Sequence, residues 1–180
     1  MSMSLQEFKP TIFFLLKFVG IYVVVNLLYG VYVSSYRPQV DGATREATRQ
    51  TSGILNVCGW PTQIRDEAKL PITNLVFEDH NILAVYEGCN GINVAIIFLA
   101  FLFAFGPISR PLWWFAPLGL VILHVANLGR LGLLFLVAVY MPNAMYFTHK
   151  YLFTAFLYVV VFVLWIWWVR KYSGVKRQKA

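Results

Sequence analysis

The sequence predicts an all-α integral membrane protein. About four transmembrane helices carry a small extracytoplasmic helix-plus-hairpin insertion. Three observations lead there. Of 180 residues, 59% are hydrophobic and 13% charged, a balance with which a soluble domain could not cover its apolar surface. Several apolar runs reach the roughly 20 residues that a bilayer crossing takes. Between the first two runs, residues 34–87 hold Asp41, Glu46, Asp66, Glu67, Glu78, Asp79 and Glu87, seven of the eight acidic residues. The chain therefore reads as a single polytopic domain, 1–180, with 34–87 as a subdomain within it.

The first span covers residues 11–33. It is too long for a cleaved signal-peptide core, so it reads as an uncleaved anchor. Lys9 precedes it, and Lys17 lies a turn inside, where its stem can snorkel. In the polar segment, "DGATREATRQTSGIL" reads as a helix with Glu46 beside Arg45 and Arg49, broken by Gly53 and then by "CGWP". "ITNLVF" and "NILAVYE", separated by "EDH", read as a two-stranded hairpin. The second strand runs almost into Cys89.

The second span is short, residues 90–105, followed by a tight cytoplasmic loop, "GPISRP". The third run, 112–141, exceeds one perpendicular crossing. It either tilts or breaks near "NLGRLG", where Gly129 and Gly132 flank Arg130. "MPNAMYFTHK" reads as a polar connection on the far side. The last span, 151–169, ends in "WIWWVRK", an aromatic interface followed by the basic cluster 170–179.

The net charge of +7 would suggest nucleic acid in a soluble protein. Here the basic residues collect at span ends, so the bilayer is the expected partner and nucleic acid is not. The same bias places both termini in the cytoplasm and puts residues 34–87, Cys89 and His149 on the outer side. The two cysteines, Cys58 and Cys89, are too few for a disulfide framework. They stand at no metal-ligand spacing from His80, His124 or His149, so neither a metal nor an organic cofactor is expected.

Three residues have both a structural and a chemical reading. Arg130 inside a spanning run costs roughly 2.5–3.5 kcal/mol at a helix centre. It shares a helix face with Asn127 at i, i+3, as a lock between helices or as part of a site. Cys89 is either a small buried hydrophobe or a nucleophile. For the latter, Gly88 and Gly91 leave room for a substrate backbone. The helix beginning there favours an anion, and Asn90 can cap that helix. His149 is an interfacial histidine or a proton carrier on the same membrane face. A thiol, an imidazole and a guanidinium together are the parts of thiol acyl transfer. A Cys58–Cys89 disulfide would consume the nucleophile; Cys58 otherwise reads as a packed loop cysteine. His124 either orients Arg130 or packs against a neighbour, and His80 reads as exposed.

"EGCNG" at a span mouth, "NLGR" in the next span and a histidine opening the following one resemble the exosortase/archaeosortase family. These are prokaryotic multipass membrane transpeptidases. The short length and outer subdomain look most like the exosortase F type of the Bacteroidetes. The resemblance covers residues 72–170. It implies that Cys89 is the nucleophile, Arg130 the oxyanion or substrate-positioning residue, and His149 the acid/base. It also implies a location in the bacterial cytoplasmic membrane with the site facing outward. The substrate would be an exported protein with a C-terminal sorting tail, cleaved through a thioester that a lipid or glycan amine, or water, resolves. The chain departs from the family in carrying Asn90 where Ser is common and in lacking the extra helices of larger members. Two other classes of function remain open. One is a non-catalytic membrane assembly protein with Asn127 and Arg130 as helix glue. The other is a thiol-redox membrane protein using Cys58 and Cys89.

Overall fold

A computed structural model describes residues 5–105 and 108–172. Gly106 and Pro107 of the proposed cytoplasmic loop, and residues 173–179 of the basic cluster, lie outside the described residues.

Helix α1 spans Leu5–Ser34 and is apolar on nearly every face. Phe13, Leu16, Leu27 and Val31 stand exposed along it, a surface that suits hydrocarbon and not water. It is held to the rest of the chain by Phe14, whose ring meets Phe101 and Phe105 edge-on at 5.7 and 5.6 Å. Lys17 bends its ammonium over the Phe13 ring, 4.5 Å from the centroid.

The polar segment opens with α2, Gly42–Val57. Asp41 caps it, accepting from the Thr44 N–H at 2.9 Å and the Thr44 hydroxyl at 2.6 Å. Its buried face repeats at helical spacing through Thr44, Ala47, Thr48, Thr51, Ser52 and Leu55. The buried threonines return their hydroxyls to the helix, Thr48 to the Thr44 carbonyl and Thr51 to that of Ala47. On the exposed face Arg49 donates twice to Glu46, and this pairing, with Gln50, holds the Glu46 carboxyl below the usual range. Arg45 pairs instead with Asp66, 3.0 Å away.

Gly53 does not break α2. It lies on the exposed face with nothing near it, and a lone glycine costs only about 1 kcal/mol in a helix that packing supports. The end comes at Gly59, left-handed at φ 91°. There the Trp60 N–H reaches the Leu55 carbonyl and the Gly59 N–H that of Asn56, a Schellman termination.

The expected hairpin is a three-stranded antiparallel meander in the order β1-β2-β3. Strand β1 (Thr62–Asp66) is the addition; β2 is Ile72–Phe77 and β3 is His80–Tyr86. "TQIRD" hides β1 because, as an edge strand, it places only one apolar side chain, Ile64, against the core. Its start is pinned by α2: Thr62 donates its N–H to Asn56 Oδ1 at 2.6 Å and exchanges hydroxyl bonds with Ser52. The β2–β3 turn is two residues, Glu78 and Asp79, at φ 49° and 60°. Both are left-handed, as tight hairpins require, so His80 belongs to β3.

Beyond β3 a 3₁₀ turn, Glu87–Cys89, leads into α3, Ile92–Ala104. The long third run is one unbroken helix, α4, Arg110–Tyr140. Gly129 and Gly132 have open space beside them and do not interrupt it. Gly119 lets α4 approach α3, because an added Cβ would collide with the Phe98 ring. The "MPNAMYFTHK" stretch is helical rather than a loop. A 3₁₀ turn (Pro142–Ala144), a short α5 (Met145–Phe147) and a π-helical turn (Thr148–Leu152) lead into α6, Phe153–Tyr172.

Two cores result. One fills the helical bundle, with Phe98, Leu102, Phe115, Val161, Leu164 and Trp168; beside it the Phe101 and Trp165 rings stack at 4.3 Å. The other joins the sheet and α2 to the adjoining ends of α4 and α6 through Leu55, Leu75, Val85, Leu131, Phe135 and Phe153. Cys89 belongs to this second core. Among the described residues, three stretches are long and apolar enough to cross a bilayer: Phe8–Ser34, Arg110–Tyr140 and Pro142–Lys171. They mark the chain as a mostly helical membrane protein. At 13 residues, α3 is only about 20 Å long.

Candidate active site

The seam between the sheet and α3 makes the site. After the 3₁₀ turn the chain must reverse its twist to start a helix, and Gly91 does so at φ 83°. Asn90 fixes that start by accepting the Ile92 N–H at 2.9 Å. Its amide nitrogen donates to the Tyr29 hydroxyl at 2.7 Å and the Thr44 hydroxyl at 3.1 Å. Asn90 thus ties α1, α2 and α3 together and works as a structural anchor.

On the other side of the seam Cys89 meets the bundle. Its side chain is 2% exposed. Sγ lies 3.5 Å from His149 Nε2, a partner 60 residues away in sequence. The π-helical turn carries His149; such turns add one residue to a helical repeat and recur at functional sites. His149 is half-buried, and its carbonyl accepts from the Thr154 hydroxyl at 3.3 Å.

Asn127 of α4 is fully buried and donates through Nδ2 to the Cys89 carbonyl at 3.0 Å. Its Oδ1 accepts from Arg130 Nη1 at 3.4 Å. One amide therefore holds the Cys89 backbone and the guanidinium together. The room at Gly91 is filled by this contact, since an added Cβ would stand 3.0 Å from Asn127 Cγ. The room at Gly88 is filled by the Tyr86 ring. Both glycines serve the protein's own close packing here.

Arg130 is 5% exposed, yet its Nε has no hydrogen-bond partner. Neither ion pair among the described residues includes it. A buried guanidinium without a carboxylate is costly unless something else supplies negative charge. An anionic sulfur, or an oxyanion formed beside it, is chemistry that this arrangement can serve.

The sequence-predicted set divides accordingly. Cys89, His149, Asn127 and Arg130 form one cluster, while Asn90 faces the other way. His124 does not touch Arg130: it is exposed, with Nε2 2.7 Å from Gln50 Oε1 on α2. Cys58 is an exposed cap residue rather than a packed one, and both cysteines are free. His80 is exposed, as expected. Among the described residues no group of His, Cys, Asp and Glu could hold a metal.

Sequence reasoning missed Tyr86. The neighbouring Cys89 and burial push its phenol up, and Arg130 opposes them. The phenol therefore stays protonated, and able to donate, through the neutral range. Its signal was the tyrosine closing a strand two residues ahead of a glycine.

Gly91→Ala tests the seam. It should destabilise the protein by at least about 1–2 kcal/mol from left-handed strain alone, and it should also displace Asn127 from the Cys89 carbonyl. A clearly lower thermal midpoint in detergent is the expected result; an unchanged one would refute the close approach.

The fold and site define a class: a mostly helical membrane protein in which a buried thiol, a half-buried imidazole and a buried guanidinium cluster where a small sheet meets its helices. Compared with protein-family models, curated proteins and solved structures, the chain matches none.

Proposed function

We propose that the chain is a membrane-embedded cysteine protease/transpeptidase of the exosortase type, most like the short exosortase F form. On this reading α3 is a fourth, short span. The α2–sheet subdomain and the site face outward from the bacterial cytoplasmic membrane. The substrate is an exported protein whose C-terminal sorting tail lies in the bilayer beside these helices.

The observation that carries the proposal is the Cys89–His149 contact beside a buried arginine with a free donor. His149 takes the thiol proton, and Sγ attacks the scissile carbonyl. Arg130 stabilises the oxyanion. The peptide C–N bond then breaks as His149 returns the proton to the leaving amine. The thioester that remains is resolved by an amine of a lipid or glycan, or by water. Cofactors have no part in this sequence.

Two details favour this reading over its rivals. Arg130 donates within its own helix, to Asn127 at i−3, and it is Asn127 that reaches across to the Cys89 carbonyl, so the arginine itself is not the lock. Cys58 is exposed while Cys89 is buried, so a redox pair would need one of them to move. Intact-mass measurement of exported C-termini, with and without Cys89, tests the proposal.

Orientation has a separate test. A reporter fused near Thr51 should behave as exported, since the basic residues Lys9, Arg110 and Arg170 flank the opposite ends of the spans. Cytoplasmic behaviour of that fusion would put the site on the wrong face and end the mechanism.

A further inference from the structure

Three helices measure the same distance to Cys89. The Tyr29 hydroxyl of α1 accepts from Asn90, the next residue. Asn127 of α4, a turn before Arg130, donates to the Cys89 carbonyl. His149, in the turn that leads into α6, meets the sulfur. At a rise of 1.5 Å per residue, Tyr29 stands about 30 Å from Lys9, Arg130 about 30 Å from Arg110, and His149 about 30 Å from Arg170. That is the thickness of a bilayer's hydrocarbon core, and basic residues gather at its edges. These lengths set Cys89 at one hydrocarbon–headgroup boundary and the basic residues at the other. The side chains around that plane agree. Tyr29, Tyr32 and Tyr36 run on from it, with ring centroids 6.2 and 5.1 Å apart. On the His149 side Lys150 donates to the Tyr146 hydroxyl at 2.7 Å and lies over the Tyr151 ring. Aromatic belts and long basic side chains are what membrane interfaces carry.

Helix α2 crosses this plane. Its Thr44 reaches Asn90 and its Gln50 reaches His124 of α4. Beyond Gln50 the face turns apolar and is largely uncovered: Ile54 is 48% exposed and Val57 90%. An open cavity of about 480 Å³ lies between the two helices, lined by Gln50, Gly53, Ile54, Val57, Cys58 and Leu128. Leu128 carries it onto the exposed stripe of α4, where Val121, Val125 and Gly129 recur every four residues. On the neighbouring face of α2, Arg45 and Arg49 are exposed. An apolar face beside a basic one, level with the edge of the hydrocarbon, is the pattern of a helix that lies in the interface.

We propose that α2 is such an interfacial helix, with its Gly53–Ile54–Val57 face seated on phospholipid acyl chains that also fill the cavity beside Leu128. The subdomain then rests in the headgroup layer, and the Cys89 site opens at the membrane boundary and not in bulk water. Lipid is the occupant because the cavity continues into a face of α4 that already meets hydrocarbon, and because acyl chains remove from water the apolar area that the protein leaves bare.

Cys58 lines the cavity and is exposed, so the chain carries its own reporter. The full chain with Cys89→Ala is labelled at Cys58 with a nitroxide and placed in vesicles of phosphatidylethanolamine and phosphatidylglycerol. Collisions with oxygen, which concentrates in hydrocarbon, are compared with collisions with a neutral nickel chelate, which stays in water. Val125→Cys and His80→Cys, each made without the native cysteines, calibrate the lipid-facing and water-facing limits. The expected oxygen-to-nickel ratio at Cys58 lies nearer to that of position 125 than to that of position 80. A ratio like that of position 80 means the subdomain stands off the bilayer and overturns the proposal. Low collision with both reagents means that protein covers the cavity, and it overturns the proposal equally; spin–spin broadening lost on dilution with unlabelled chain would identify that cover as a second copy. The same labelling with Cys89 retained, where the buried thiol is shielded, must give the same ratio, or the seat is refuted for the native chain. The readout needs neither a substrate nor a nucleophile, so this proposal and the transpeptidase reading fail separately.

Discussion

Cys89→Ala should abolish the proposed release of sorting tails while leaving expression, membrane insertion and the fold intact. The reasoning starts from where the thiol sits. Cys89 contributes one small side chain to a core of leucines, valines and aromatics, and removing a sulfur from it costs about 1 kcal/mol. The contact that orients this segment runs from Asn127 to the Cys89 backbone carbonyl, and alanine keeps that carbonyl. The variant should therefore be a folded protein without a nucleophile. Cys89→Ser is the sharper companion. Its hydroxyl can still meet His149, but it attacks far more slowly without stronger base activation, so a bound and uncleaved substrate is expected to accumulate. Both are read by the intact masses of exported C-termini and by co-purification of the uncleaved precursor. Wild-type processing by the alanine variant would sink the enzyme reading outright, whatever the site geometry.

Arg130→Lys carries the second large effect, because there the anchor and the chemical role make opposite demands. An arginine that only satisfies its helix needs a long stem and a positive head. Lysine has both and can still donate to Asn127 Oδ1, the one hydrogen-bond partner Arg130 has here. On that account the variant would be nearly silent. An oxyanion-stabilising arginine needs a second donor in a fixed direction, and Arg130 holds one in reserve at the buried, unpartnered Nε. A lysine ammonium is a compact, mobile charge that cannot reproduce a planar fork. Losing one well-placed oxyanion donor costs about 10²–10³ in rate. Processing at least tenfold slower is expected at matched membrane levels, with normal insertion and undiminished labelling of Cys89 by small thiol reagents. Processing at the parental rate would return Arg130 to an anchoring role.

The helices were legible because each is written in contiguous residues. Apolar runs of sufficient length exposed α1, α4 and the last helical stretch. The stretch "DGATREATRQTSGIL", with Glu46 beside Arg45 and Arg49, exposed α2. The places where reading by residue type failed share one feature: a local signal was outweighed by contacts made elsewhere. Gly53 and Gly129 look like breakers, yet both sit on open faces of helices that packing holds on other sides. Strand β1 has almost no apolar signature, because it takes its order from β2 and from the Ser52 and Asn56 side chains of α2. The stretch before α6 looked like a polar loop, and in the fold it is helical, with a π turn at His149.

The sequence by itself determined a membrane protein with a polar insertion between its first two apolar runs. It also placed a cysteine at the mouth of one helix and put Asn127 and Arg130 on one face of another. Those are properties of residues within a few positions of each other, where chain geometry alone sets the neighbours. Only the tertiary structure decided that Cys89 meets an imidazole 60 residues away, that Gly91 is open so that Asn127 can reach the Cys89 carbonyl, and that Tyr86 lies over Gly88. It alone showed that Arg130 is buried with a donor unused. Such contacts come from the packing of a sheet against helix ends, where many weak, distant interactions sum to a single arrangement, and no local pattern in the chain records that sum.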